Sequence, residues 1–106
     1  MAVSKLEHVG VMVKDMARSI EFYRTVLGME LLGTLDHQNG IKLAFLSFPG
    51  AGETQLELIE GYNDSLPEEG KVHHLAFTVD DIDAEIARIA GLGVTFIDPD
   101  ITTLPN

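Results

Sequence analysis

The chain has 106 residues, 45% of them apolar, with 17 acidic side chains against 7 basic ones and a formal net charge of -10. That size suits one folded domain, and the lack of clustered Lys and Arg excludes a nucleic-acid surface, which needs cations to displace counterions from phosphates. With no cysteine, no run of about 18 apolar residues and no signal-peptide core in MAVSKLEH, disulfides, protein thiolates and a membrane span are all excluded, and a cytoplasmic protein is expected.

A β-rich run over residues 6–13 opens the chain. Side chains alternate across a strand, so His8 shares a face with Leu6, Gly10 and Met12, and Val9, Val11 and Val13 take the other. Asp15 then sits where an N-cap belongs. Met16, Ile20, Tyr23 and Leu27 recur at helical spacing and predict a helix with one face against a sheet. Gly28 fits the helix exit, where a positive φ costs glycine little. Strands are expected from Met29, over 40–48 and over 54–60, which completes β-α-β-β-β within residues 1–60. His37, in LDHQNG, falls in an exposed turn, and the turn-rich GYNDSLPEEGK, residues 61–71, reads as a linker.

The chain then repeats itself about 66 residues on. His8 falls on His74, Val13 on Val79, Asp15 on Asp81 and Ile20 on Ile86, and LGM at Leu27 matches LGV at Leu92. A second strand is expected over 72–79, with Leu75, Phe77 and Val79 toward a helix and His74 facing away from it beside Ala76 and Thr78. Asp81 should cap a helix carrying Ile82, Ile86 and Ile89, Gly93 should end it, and a strand should begin at Val94. Only β-α-β is present in residues 72–106, so a truncated second module is expected, or a fold completed by something else.

Each repeat thus delivers one histidine to the side of its strand away from the helix. Glu57, mid-strand on a face with Gln55 and Ile59, is the third residue of interest. His73 lies on the helix side and is the weaker choice. Two imidazoles and a carboxylate converging on one curved sheet suit a single divalent first-row metal. By the repeat, a counterpart of Glu57 would lie beyond Asn106.

LEHVGVMVKDMARSIEFYRTVLGMELL, LAFL, LELIE and VHHLAFTVDDID together resemble the vicinal oxygen chelate superfamily, and within it the glyoxalase I-like proteins. The resemblance covers essentially the whole chain. It implies an α+β fold of paired βαβββ modules forming an open, cupped mixed sheet around one metal, here Zn, Ni, Co or Mn. It places the metal ligands on His8, Glu57 and His74, with a fourth, glutamate, ligand past Asn106. It further implies a lactoylglutathione lyase-like lyase or isomerase acting on a thiol hemithioacetal or related small-molecule substrate with vicinal oxygens. In such enzymes the metal stabilises the enediolate formed when a proton leaves carbon, and carboxylates move that proton. Glu57 would be the catalytic carboxylate within this chain. A homodimer sharing its sites between subunits is also implied.

Two positions depart from the pattern of glutathione users. Met12 stands where they commonly carry arginine, and Gly61 where they commonly carry asparagine. The same resemblance leaves room for a methylmalonyl-CoA epimerase-like enzyme, or for a metal-free drug-binding module of the bleomycin-resistance type.

Overall fold

The computed structural model describes residues 3, 5–50, 53–62 and 75–97. Two compact units divide the chain, Met1–Leu75 and Ala76–Asn106. No helix among the described residues is long and apolar enough to cross a membrane.

In the first unit the expected β-α-β-β-β order forms. The elements are β1 (His8–Val13), α1 (Met16–Thr25), β2 (Glu30–Asp36), a short 3-10 turn (Gln38–Gly40), β3 (Lys42–Ser47) and β4 (Gln55–Glu60). They build an open four-stranded mixed sheet in the order β1-β4-β3-β2. β1 runs parallel to β4, and the other two pairings are antiparallel. The architecture is α+β, as the sequence predicts.

Strand alternation sorts this sheet into two faces. One carries Val11, Ala44, Leu46, Leu56 and Leu58, which join Met16 of α1 and Met29 in the buried core. Ala44, Leu46 and Leu58 are fully buried. Ile20, Tyr23 and Leu27 pack against that cluster, so the predicted stripe of α1 is the one that meets the sheet. Burial pushes the Tyr23 phenol up from its ordinary pKa, because the ionised ring loses solvation.

Local chemistry sets the ends of α1. The Asp15 carboxylate accepts from the Arg18 amide at 3.1 Å, which occupies one of the amide groups a helix start leaves without a partner. A second carboxylate reaches in from the sheet: Glu60 Oε1 accepts from the Met16 amide at 2.7 Å. Glu60 pairs with Val13 across β1 and β4, on the core side, so this bond fixes the helix start to the end of β4. Gly28 leaves the helix at a φ of 77°.

The second unit contains α2 (Ile82–Gly91). Asp81 accepts from the Ala84 amide at 3.1 Å, Gly93 takes a φ of 86°, and Arg88 grips Glu85 at 2.7 Å. Three expectations are corrected here. Residues 75–79 and 94–96 are not strands, residues 72–74 lying outside the described ones, and α2 buries no residue. Ile82, expected on a packed stripe, is 51% exposed. The reason is shared: a strand exists only where a neighbour satisfies its backbone groups, and no described segment pairs with these residues. Among the described residues of the second unit no sheet forms for the apolar stripe of α2 to lie on, and Ile86 and Ile89 are only half-buried.

Candidate metal centre

The register of β1 on β4 decides where the first-unit site residues meet. His8 lies opposite Gln55 and Gly10 opposite Glu57. Opposed residues share a face, so His8 and Glu57 project from the same side of adjacent strands, one step of the pleat apart. That side is the one away from Val11, Leu56, Leu58 and α1, as expected.

His8 is 44% exposed at its side chain, and its Nδ1 lies 4.0 Å from Glu7 Oε1. Glu57 is half-buried on this face. Gly10 explains the room it occupies. A Cβ on Gly10 would stand 3.6 Å from Glu57 Oε1 and 3.1 Å from Ile59 Cδ1. The carboxylate therefore leans over the bare backbone of β1, toward the strand that carries His8.

This alignment is tied down at the open end of the sheet. The Gln55 amide donates to the Glu7 carbonyl at 2.9 Å, the Thr54 hydroxyl donates to the Leu6 carbonyl at 2.7 Å, and Lys5 Nζ donates to the Glu53 carbonyl at 3.4 Å. All three flank His8 and Gln55 and hold the two strands in one register. Sequence reasoning missed these tethers, and missed Glu60. The signal for Glu60 was present: alternation puts that acid on the core side, where an unpaired carboxylate is costly.

An imidazole and a carboxylate on one face form part of a nitrogen and oxygen donor set suited to a divalent first-row metal. Among the described residues no third His, Asp or Glu joins them closely enough to complete a metal site. His74 and His73 lie outside the described residues. His37 is exposed at the entry of the 3-10 turn, as expected. A cavity of about 280 Å³ lies instead between α1 and the ends of β2 and β3, lined by Met16, Ile20, Asp36 and Lys42 among others, and His8 and Glu57 take no part in it.

Residues 5–103 match the Glyoxalase/Bleomycin resistance protein/Dioxygenase superfamily. The chain belongs to this superfamily. Uncharacterized protein YwbC of Bacillus subtilis (strain 168) is 52% identical over 103 residues, covering 96% of this chain and 82% of that protein. Lactoylglutathione lyase of Schizosaccharomyces pombe is 32% identical, over 91% of this chain but only 39% of its own length. Among solved structures, the trypanothione-dependent glyoxalase I of Leishmania major matches with a TM-score of 0.78 at 27% identity, covering 93% of this chain and 73% of that one. Superfamily relatives and structural neighbours also include methylmalonyl-CoA epimerases, the antibiotic binding protein TnmS3, and a Listeria monocytogenes fosfomycin resistance protein complexed with Mn(II).

Proposed function

We propose that this chain serves a metal-dependent lyase or isomerase of the glyoxalase I type, acting on a thiol hemithioacetal or a related substrate with two vicinal oxygens. The observation that carries the reading is the placement of His8 and Glu57 on one face of adjacent strands, with Gly10 opening space between them. His8, Glu57 and His74 would hold one divalent ion, zinc, nickel, cobalt or manganese, in a homodimer. When bound, such an ion supplies Lewis-acid polarisation of substrate oxygens. Glu57 offers a half-buried carboxylate able to take a proton from a carbon beside those oxygens and return it to the neighbouring carbon. The β1–β4 tethers keep imidazole and carboxylate at a constant spacing, which is what positioning contributes to catalysis.

The test is bound metal per subunit in the purified whole protein. Near-stoichiometric metal is expected in the parent and a large loss in His8→Ala, Glu57→Gln and His74→Ala. A parent protein that carries no metal and refuses added nickel, zinc, cobalt and manganese would sink the reading. The likeness to TnmS3, with a TM-score of 0.76 at 28% identity, would then favour a small-molecule binding module. If metal binds but hemithioacetals are not turned over, CoA thioesters are the next substrates to offer, as for an epimerase.

A further inference from the structure

The face that carries His8 and Glu57 resolves into rungs across the four strands. Gly10, Glu57, Phe45 and Gly33 stand side by side on one rung. The next rung on that face is Met12, Ile59, Leu43 and Leu35. The carboxylate is therefore flanked by the bare backbone of Gly10 on one side and the Phe45 ring on the other, and the next row is entirely apolar.

No cation stands on either rung. Lys42 pairs with Glu60 and Asp36 on the opposite face. Lys5 reaches the Glu53 carbonyl at the open end of the sheet, Lys14 follows β1 in the bend before Asp15, and Arg18 and Arg24 belong to α1. Among the described residues of the first unit, an anionic group laid along Met12, Ile59 and Leu43 would find no cationic partner on these rungs in exchange for its lost water, which is unfavourable. An alkyl or aryl group there loses only unfavourable hydration.

We propose that the strip formed by Met12, Ile59, Leu43 and Phe45 receives an uncharged hydrocarbon portion of the substrate, with Gly10 setting how deeply that portion sits beside Glu57. The substrate class is then a vicinal dioxygen compound with an apolar substituent, rather than a conjugate whose carboxylates or phosphates lie on this wall. The inference rests on the metal-site reading above. Gly10 is assigned its role by contact: a Cβ there would meet Ile59 Cδ1 at 3.1 Å, so the tip of Ile59 would have to give way by a few tenths of an ångström, and a larger side chain would displace it further.

The experiment uses the full-length protein loaded with nickel and two probes that chelate through adjacent oxygens. One is a hydroxamate bearing a butyl chain, the other a hydroxamate of equal length ending in carboxylate. By calorimetric titration the butyl probe should bind at least about tenfold more tightly, the carboxylate losing hydration without compensation. Met12→Arg should narrow or reverse that preference, and Gly10→Val should weaken the butyl probe by about tenfold through overpacking. Gly10→Ala guards against misfolding and should show the same direction with a smaller effect. Nickel per subunit, measured on the same samples, separates the two readings. Nickel bound with equal affinity for both probes, or a carboxylate preference in the parent, overturns the apolar strip while leaving the metal site standing. No nickel in the parent removes both.

Discussion

α1 and α2 are each ten residues long, each opens on an aspartate whose carboxylate accepts an amide three residues on at 3.1 Å, and each exits through a glycine of positive φ. Their surroundings differ. Met16 of α1 is 8% exposed and joins a core with Leu46 and Leu58, whereas α2 buries nothing. Capping and helical spacing are local, so a repeated sequence reproduces them. Burial is not local: α1 has β3 and β4 to lie on, and the described part of the second unit has no sheet. The lesson is that most helix stability comes from packing an apolar face rather than from the helix itself.

The strongest way to break this comparison is to delete core volume on each side. Leu58→Ala, at a fully buried position, should cost about 2–5 kcal/mol from lost transfer energy and an unfilled cavity. Ile82→Ala, on the exposed helix, should stay within about 0.5 kcal/mol. Urea unfolding of both variants measures the contrast, and equal losses would show that α2 is packed in solution.

Next comes the asymmetry at the helix starts. Glu60→Ala leaves the Met16 amide without its acceptor and should cost about 1–3 kcal/mol. Glu60→Gln, which keeps an oxygen acceptor, should recover part of it. Removing the local caps, Asp15→Ala or Asp81→Ala, should cost about 0.5–2 kcal/mol each, with the Asp81 loss at the low end because α2 carries no core. Thermal melts of the four variants rank these effects.

Tyr23 sharpens the comparison through pH. Its folded pKa is raised above the ordinary 10.0 by burial, so the folded state holds that proton more tightly than the unfolded one. The associated stability is fully present below pH 10 and is lost as pH rises through the folded value. The melting temperature of the parent should fall in that alkaline window, and Tyr23→Phe should fall less.

The smallest effect is expected on α2. The Arg88 hydrogen bond holds the Glu85 carboxyl below its ordinary pKa. A depressed carboxylate stabilises above the unfolded pKa and loses that contribution as pH falls through the folded one. Both partners are exposed to solvent, where water and salt screen the pair. Glu85→Gln should leave the melting temperature unchanged at physiological salt, and a clear drop would mean that the pair is sheltered.

Much of the first unit was legible in the residues. The alternation of Val9, Val11 and Val13 against His8, Gly10 and Met12 predicted which way His8 faces, and the stripe from Met16 to Leu27 predicted the packed side of α1. The Asp and Gly signals at both helix ends came through because they act within one turn. The strands expected around Phe77 and Val94 did not form, since a β-rich run says nothing about whether a partner strand is supplied. Alternation marked Glu60 as an acid on the core side, but its partner was illegible for a related reason: Met16 is 44 residues away, and no spacing rule connects them.

By itself the sequence determined the β-α-β-β-β order of the first unit, the two helices with their caps and exits, and the side of their strands on which His8 and Glu57 belong. These follow from backbone periodicity and from hydrogen bonds that close over a few residues. Only the tertiary structure decided that β1 lies parallel to β4 in a register setting Gly10 against Glu57, that Glu60 anchors the start of α1, and that an apolar row borders the carboxylate. Those facts depend on which distant segments pair, and pairing is settled by how whole faces bury each other rather than by any local run of residues.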